Sequence, residues 1–246
     1  MDTKTATASV IGARHRRAGR NGQDAAAAWT GDGAAVIVVC DGCSSGASSE
    51  VGARLGARLF AHTLGAKLAA GACVRAPASW EAARAAVASA LAVAIGGDAV
   101  DAAAVHDHLL FTIVAAAVTC DGAAVWALGD GAYSWDDTTT VLGPFANNEP
   151  PYLGYDLLGA PRDARFEVLP DQARRIVVAT DGIEDLHGDL TAFAAPVFTA
   201  HPDALRRKLV QLARADERID WSAGRVIRVP AVLQDDCAIA IVEVVA

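Results

Sequence analysis

The 246-residue sequence predicts an α+β protein in which helices cover two sheets packed face to face. Short β-branched runs, each typical of a buried strand, occur near the start, in the middle and at the end of the chain. Two blocks of helical pattern lie between them, without the regular strand–helix alternation of a parallel sheet. With 53% hydrophobic residues the chain can bury a large core, and we expect one domain over residues 1–246.

Two strands and a helix are predicted in the first third of the chain. The strands cover residues 8–11 and 34–40, and the second is an unbroken apolar run. In the helix that follows, Val51, Leu55 and Leu59 recur at four-residue spacing. Residues at that spacing share one side of a helix, so we expect this side to pack on a sheet.

Antiparallel strands joined by tight turns are predicted in the middle of the chain. Asp121-Gly122 and Asp136-Asp137 are the turn dipeptides, because each separates two strand-like runs. The predicted strands here are residues 111–118, 124–128, 132–135 and 139–142.

A proline-rich segment, residues 143–165, predicts a long ordered loop or flap, and loops of that length are usually functional. Strands are predicted after it and at the end of the chain. They cover residues 165–169, 175–180 and 237–244. The remaining long helices are predicted over residues 80–94 and 203–215.

Composition excludes several classes of protein. The net charge of −8 argues against nucleic acid as the main partner. No apolar stretch approaches the ~20 residues of a membrane span, and the first residues lack the pattern of a signal peptide, so a cytoplasmic protein is expected. The basic cluster Arg14, His15, Arg16, Arg17 and Arg20 is either a solvated segment or a source of positive charge for a phosphate.

The five cysteines, an odd number, are expected to be reduced thiols. Cys40-Asp41-Gly42-Cys43 is formally a C-x-x-C motif between a strand and a helix, which allows a redox hypothesis. Because Cys40 ends a buried strand, we interpret these cysteines as small buried side chains in preference to a redox pair.

Carboxylates at strand ends carry the functional prediction. Two buried runs stop on Asp-Gly pairs, at Asp41 and at Asp181, and a third acidic pair, Asp235-Asp236, precedes the last strand. Acids that meet at one edge of a sheet repel each other unless a cation lies among them. Oxygen ligands select Mg²⁺ or Mn²⁺, and two such ions can activate water for attack on phosphorus without a protein nucleophile. Asp130, in Gly129-Asp130-Gly131, has two possible interpretations: it belongs to the metal site, or it is part of a hairpin turn.

The chain resembles the metal-dependent serine/threonine phosphatases of type 2C, in particular their bacterial branch. Seven segments carry the resemblance, in the order of the family and across most of the chain. They are Gly12-Ala13-Arg14-His15, Gly19-Arg20-Asn21-Gly22-Gln23-Asp24, Cys40-Asp41-Gly42-Cys43-Ser44-Ser45-Gly46, Ser49-Glu50-Val51-Gly52-Ala53-Arg54, Leu128-Gly129-Asp130-Gly131, Ala179-Thr180-Asp181-Gly182-Ile183-Glu184-Asp185 and Asp235-Asp236-Cys237-Ala238.

The resemblance implies a four-layer α-β-β-α sandwich with two Mn²⁺ or Mg²⁺ ions in a cleft between the sheets. Asp41 would bridge both ions, Gly42 would contribute its carbonyl, and Asp181 and Asp235 would complete the ligand set. Asp24 would hold a water of the metal shell.

The resemblance further implies that Asp130 and Asp185 match positions that serve a third, weaker metal in some bacterial members. Asp236 is the alternative to Asp235, although the first acid of the pair is the one that aligns. Arg20 is the candidate phosphate clamp, since a guanidinium binds phosphate oxygens bidentately, and Arg17 is the alternative.

One departure from the family pattern and one matching residue of open role bear on this site. The family usually has a Gly-Thr or Gly-Ser-Thr sequence where this chain reads Leu110-Phe111-Thr112. His15 fits the pattern of the bacterial branch either as a structural histidine or as a proton donor.

Three functional hypotheses follow. The first is Mn²⁺- or Mg²⁺-dependent hydrolysis of phosphoserine and phosphothreonine in proteins phosphorylated by a serine/threonine kinase, a signalling role. The second is a catalytically weak member that binds phosphoproteins or regulates a partner. The third is a redox protein that uses Cys40 and Cys43.

Overall fold

Two five-stranded antiparallel sheets form the centre of the computed structural model, which describes residues 1–31, 33–97, 100–187, 189–201 and 203–245. The strands are β1 Asp2–Val10, β2 Ala25–Gly31, β3 Ala34–Cys40, β4 Ile113–Thr119, β5 Gly122–Leu128, β6 Gly131–Trp135, β7 Thr138–Leu142, β8 Arg165–Val168, β9 Arg175–Ala179, β10 Asp216–Asp220, β11 Arg225–Val229 and β12 Cys237–Val245. The first sheet has the order β1-β12-β9-β6-β7 and the second β2-β3-β4-β5-β8. Strands β10 and β11 form a separate two-stranded antiparallel sheet.

Helices cover the outer face of each sheet. They are α1 Ala13–Ala18, α2 Glu50–Ala69, α3 Pro77–Ala94, α4 Ala102–His108, α5 Gly154–Leu157, α6 Val197–Ala200 and α7 Ala204–Leu212. Helices α2 and α3 pack on the second sheet, and α6 and α7 pack on the first. The predicted four-layer α-β-β-α sandwich is therefore confirmed.

Strand β3 shows why a fully apolar run forms here. All seven of its residues are buried, because both faces of the strand are covered. Ile37 and Val39 point into the layer between the two sheets, whereas Val36 and Val38 point toward the helices. Successive side chains of a strand alternate between its faces, so every position must be apolar.

The prediction of which side of α2 packs on the sheet is wrong. Val51 and Leu55 are 44% and 42% exposed, and the side toward the sheet carries small residues instead. At Gly56 a Cβ atom would lie 2.2 Å from the ring of Phe111. The helix therefore approaches the sheet through glycine and alanine, while Phe60 and Leu64 fill the space further along.

Several elements were not predicted from the sequence. Strand β2 is mostly alanine, β10 is mostly charged, and β11 is mostly exposed, so none of the three shows a β-branched buried pattern. Helices α1 and α4 are six and seven residues long, too short for a clear periodicity. The dipeptide Asp32-Gly33, which separates two strand-like runs, also predicts a turn, but Asp32 lies outside the described residues.

The segment 143–165 is partly tied to the body of the protein. It contains a 3₁₀ helix, Ala146–Asn148, and α5. The guanidinium of Arg84 donates two hydrogen bonds of 2.7 Å to the carboxylate of Asp156 and a third, of 2.8 Å, to the carbonyl of Arg162. This ion pair fixes the second half of the segment against α3.

Candidate metal centre

Five acidic residues lie where strands of both sheets begin or end at one edge of the sandwich. Asp24 directly precedes β2, and Asp41 directly follows β3, with which β2 pairs. Asp130 lies in the connection from β5 in one sheet to β6 in the other. Asp181 follows β9 and Asp235 precedes β12, its antiparallel neighbour. The topology therefore brings residues from distant parts of the sequence to one edge.

Asp24 is buried among the other acids. The hydroxyl of Thr180 donates a 2.5 Å hydrogen bond to its carboxylate, and only 5% of Asp24 is exposed. Burial raises the pKa of Asp24 well above its usual value, and the charges of Asp181 and Asp236 raise it further, while hydrogen bonds with Asp41 and Thr180 oppose the shift. Asp24 and Asp41 are therefore direct neighbours.

Asp41 is surrounded by like charges. Burial raises its pKa well above the usual value, and the charges of Asp24, Asp181 and Asp130 add to the shift. Its backbone is held by Thr112, whose amide donates to the Asp41 carbonyl at 2.8 Å, while the Thr112 hydroxyl accepts from the Asp41 amide at 3.3 Å. The Leu110-Phe111-Thr112 sequence thus still supplies a threonine that supports Asp41.

Asp181 and Asp130 form the other side of the cluster. Burial raises the pKa of Asp181 to about 7, with further contributions from the charges of Asp130, Asp235 and Glu184. Burial also raises the pKa of Asp130, as does Glu184. One carboxylate oxygen of Asp130, Oδ1, is buried and has no hydrogen-bond partner among the residues that the structure describes. A buried acceptor in this state costs free energy unless something binds it.

Gly182 allows two chain segments to meet beside the acids. A Cβ atom at this position would lie 1.9 Å from the carbonyl oxygen of Asp236. No side chain fits at that distance, so only glycine lets the start of the 3₁₀ helix Asp181–Leu186 reach the segment before β12. The contact holds Asp181 beside Asp235.

Asp185, predicted to serve a third metal, is engaged with the backbone. Its Oδ2 accepts hydrogen bonds from the amides of Gln234, at 2.7 Å, and Asp235, at 3.0 Å. These contacts position Asp235 and leave only Oδ1 of Asp185 for a cation.

The two acids of the Asp235-Asp236 pair have different surroundings. The side chain of Asp235 is 48% exposed, and its charge acts on Asp181. Asp236 is 2% exposed and accepts hydrogen bonds from the segment that leads to Asp24. Asp235 is thus the acid of the pair whose carboxylate is open to solvent, and its role as a metal ligand stays a prediction.

The residues of this cluster fit divalent cations by their chemistry. In the part of the chain that the structure describes, no three His, Cys, Asp or Glu side chains already close around a point that could hold a metal ion. Burial nevertheless raises the pKa of Asp24, Asp41 and Asp181, and the charge of at least one neighbouring acid raises each of them further. Asp130 has an unpaired buried oxygen. An all-oxygen, all-anionic set of this kind suits Mg²⁺ or Mn²⁺.

The predicted phosphate clamps lie at the edge of the cluster. Arg20 donates to the carbonyls of Ser44, at 3.0 Å, and Gly46, at 3.4 Å, in the loop after Asp41. Arg17 donates to the side chain of Gln234 at 2.9 Å. Arg14 was not singled out from the sequence, although its guanidinium lies 3.8 Å from the Asp235 carboxylate.

Sequence reasoning also missed Thr180, Glu184 and Tyr152. Thr180 and Glu184 flank Asp181-Gly182, so their nearness in sequence was an available signal. Tyr152 belongs to the 143–165 segment, and its pKa is raised by burial, by a hydrogen bond with Cys43 and by the charges of Cys43 and Asp41. No sequence pattern links Tyr152 to Asp41. The position of Tyr152 nevertheless shows that part of the predicted flap lies near the acidic residues.

The cysteines do not support a redox pair. All five are free, and Cys40 is completely buried in β3. Burial and the charges of Asp41 and Asp24 raise the pKa of Cys40 well above its usual value. A thiol in that environment stays protonated and unreactive.

The sequence model of protein phosphatase 2C matches residues 11–214. The chain belongs to the protein phosphatase 2C family. No curated protein matches the chain closely enough to be reported as a relative. No helix in the described residues has the length and apolar character needed to span a membrane.

Solved structures of bacterial phosphatases share the fold. The serine/threonine phosphatase Stp1 from Staphylococcus aureus matches with a TM-score of 0.62 and 12% identity, covering 100% of this chain and 96% of that one. The S. agalactiae serine/threonine phosphatase matches with a TM-score of 0.59 and 16% identity, covering 99% and 100%. RsbX in complex with magnesium matches with a TM-score of 0.51 and 10% identity, covering 98% and 94%.

Proposed function

We propose that the protein hydrolyses phosphoserine and phosphothreonine in proteins and that it depends on Mn²⁺ or Mg²⁺. The observation that carries the proposal is the set of buried acids, Asp24, Asp41 and Asp181, on a protein phosphatase 2C fold. Burial raises the pKa of each, and the charges of neighbouring acids raise it further. A cluster that is so unfavourable without counter-charge is most useful as a cation site. Magnesium in the similar protein RsbX supports the same view.

The chain's own residues take distinct roles in this proposal. Asp41, Asp181 and Asp235, with the carbonyl of Gly42, would hold two divalent ions, and Asp24 would hold a water beside them. Such ions, when bound, lower the pKa of water and neutralise charge on phosphoryl oxygens.

Residues outside that ligand set would complete the site. Asp130, with its unpaired oxygen, and Asp185 would serve a third, weaker ion. Arg20 stays the proposed phosphate clamp because its guanidinium contacts the loop that follows Asp41. Arg14 is a second source of positive charge, since it already lies beside Asp235.

The proposed substrates are phosphoproteins made by a serine/threonine kinase, which places the enzyme in signalling. A cytoplasmic location is consistent with five free cysteines and stays a prediction. The alternative of a catalytically weak binding module would be favoured by the loss of a ligand position. Asp24, Asp41, Asp181 and Asp235 are all present, so hydrolysis is the better proposal.

The test is a metal titration of the purified protein beside Asp41→Asn. Wild-type protein should hydrolyse p-nitrophenyl phosphate and a phosphothreonine peptide only with added Mn²⁺ or Mg²⁺, and chelator should abolish both activities. Asp41→Asn should lower turnover by at least about 100-fold, because it removes a carboxylate charge that would hold the cations.

The matched control is Asp137→Asn, which makes the same change at an exposed turn and should retain full activity. Thermal unfolding of both variants shows whether the fold is intact. Turnover by wild-type protein in chelator, or full turnover by folded Asp41→Asn, would overturn the proposed mechanism.

A further inference from the structure

A buried carboxylate gathers three hydrogen-bond donors beside the acidic cluster. Asp236 is 2% exposed, and its Oδ1 accepts from the amide of Gly12 at 2.7 Å. Its Oδ2 accepts from the amide of Gln23 at 2.6 Å and from Nδ1 of His15 at 2.8 Å. Both oxygens are therefore used within the protein.

All three donors come from one segment, residues 12–23, which ends next to Asp24. The same segment is bonded through its backbone to the stretch before Asp236. The amide of Ala13 donates to the carbonyl of Leu233 at 3.2 Å, and that of Arg14 donates to Gln234 at 2.9 Å. The buried carboxylate of Asp236 thus connects two segments of the chain that are more than 200 residues apart in sequence.

This connection determines the relative positions of two proposed metal-site acids. Asp24 follows Gln23, whose amide is held by Asp236, and Asp235 precedes Asp236. Asp235 is itself held, because its Oδ1 accepts from the amide of Asp236 at 2.9 Å. A shift of residues 12–23 would therefore move Asp24 relative to Asp235.

His15 is the only side chain among the three donors to Asp236. Its imidazole is 14% exposed, so solvent competes little for the hydrogen bond. Because the partner is a carboxylate oxygen that also accepts from Gln23, Nδ1 must carry the hydrogen. The bond then fixes the ring and relieves the buried charge of Asp236.

We propose that His15 and Asp236 are a positioning pair that fixes Asp24 and Asp235 at the spacing needed to bind metal. This inference rests on the proposed function for the identity of the site. It assigns His15 a role through Asp236 and gives the imidazole no contact with substrate. Outer residues of this kind, which orient ligands, typically affect metal affinity by about 10–100-fold when they are replaced.

The chemistry of the side chain provides a sharp test. The amide nitrogen of asparagine occupies nearly the position of Nδ1 of histidine, so His15→Asn keeps the donor to Asp236. His15→Ala removes it. His201→Ala, at an exposed histidine, is the matched control.

Two measurements are made on the full chain, namely Mn²⁺ binding by titration calorimetry and the turnover of p-nitrophenyl phosphate as a function of Mn²⁺ concentration. His15→Ala should weaken Mn²⁺ binding at least about tenfold, while turnover at saturating Mn²⁺ stays within about threefold of wild type. His15→Asn and His201→Ala should match wild type in both. If His15→Ala does not fold, His15→Gln replaces it, because its amide nitrogen lies one bond further from the backbone and misses Asp236.

Three results would overturn the inference. Unchanged Mn²⁺ affinity in His15→Ala would show that the pair does not position the acids. A loss of affinity in His15→Asn equal to that in His15→Ala would show that the donor to Asp236 is irrelevant. Turnover lost to the same extent in both variants at saturating Mn²⁺ would identify His15 as a catalytic residue instead. An inactive wild type would refute the proposed function, whereas calorimetry tests the positioning pair without turnover.

Discussion

The acidic cluster should destabilise the metal-free protein, and Asp181→Asn measures by how much. The pKa of Asp181 rises from 3.8 to about 7 on folding. A rise of about three pH units, at about 1.4 kcal/mol per unit, corresponds to about 4 kcal/mol of destabilisation when the group is ionised. Replacement by asparagine keeps the shape of the side chain and removes the charge.

The sign of the pH dependence follows from the direction of the shift. Below pH 3.8 Asp181 is protonated in both folded and unfolded chains, so it contributes nothing. Between pH 3.8 and about 7 the unfolded chain ionises first, and the folded state loses stability as the pH rises. Above about pH 7 the full cost is present. The advantage of Asp181→Asn over wild type should therefore grow with pH and then level off.

Urea unfolding in chelator at about pH 5.5 and about pH 8.5 tests this reasoning. We expect Asp181→Asn to be more stable than wild type by about 4 kcal/mol at the higher pH and by about half as much at the lower. Asp137→Asn, at an exposed turn, should show no such gain. Lower stability of Asp181→Asn at the higher pH, or a gain that does not change with pH, would refute the electrostatic account.

Two further predictions concern packing around the site. Gly182→Ala should lower the free energy of unfolding by about 3 kcal/mol or more, because its Cβ would overlap the carbonyl of Asp236; an unchanged melting temperature in chelator would show that the two segments are further apart. Arg84→Met should cost about 3–5 kcal/mol in urea unfolding, because it leaves the Asp156 carboxylate unpaired. Arg84→Lys should recover little of this loss, since lysine cannot bind both oxygens in the same plane, and full recovery would contradict the bidentate role.

The sequence predicted those parts of the fold in which local pattern and burial agree. Strand β3, the strands β4 to β9 and the last strand, β12, were identified correctly, because most of them are β-branched or apolar runs bounded by turn residues. Strand β2 was missed because alanine favours helices, and its strand conformation depends on pairing with β3. The inner face of α2 was wrong because glycine and alanine pack inward where the helix lies close to the sheet.

The candidate site could be predicted only in part for a related reason. Acids at strand ends, such as Asp41 and Asp181, stand out because each directly follows an apolar run. The hydrogen bonds of Thr180 and Asp236 join residues more than 150 positions apart. No pattern within a single segment reveals such partners, so these supporting residues emerge only from the structure.

The position of β12 between β1 and β9 has a consequence for biosynthesis. The second sheet is built from residues 25–168, so it can assemble while later residues are still being translated. The first sheet needs β12, and Asp235 reaches its neighbours only when that strand has left the ribosome. A nascent chain therefore carries an incomplete acidic cluster, and any activity that depends on Asp235 begins only after β12 has emerged.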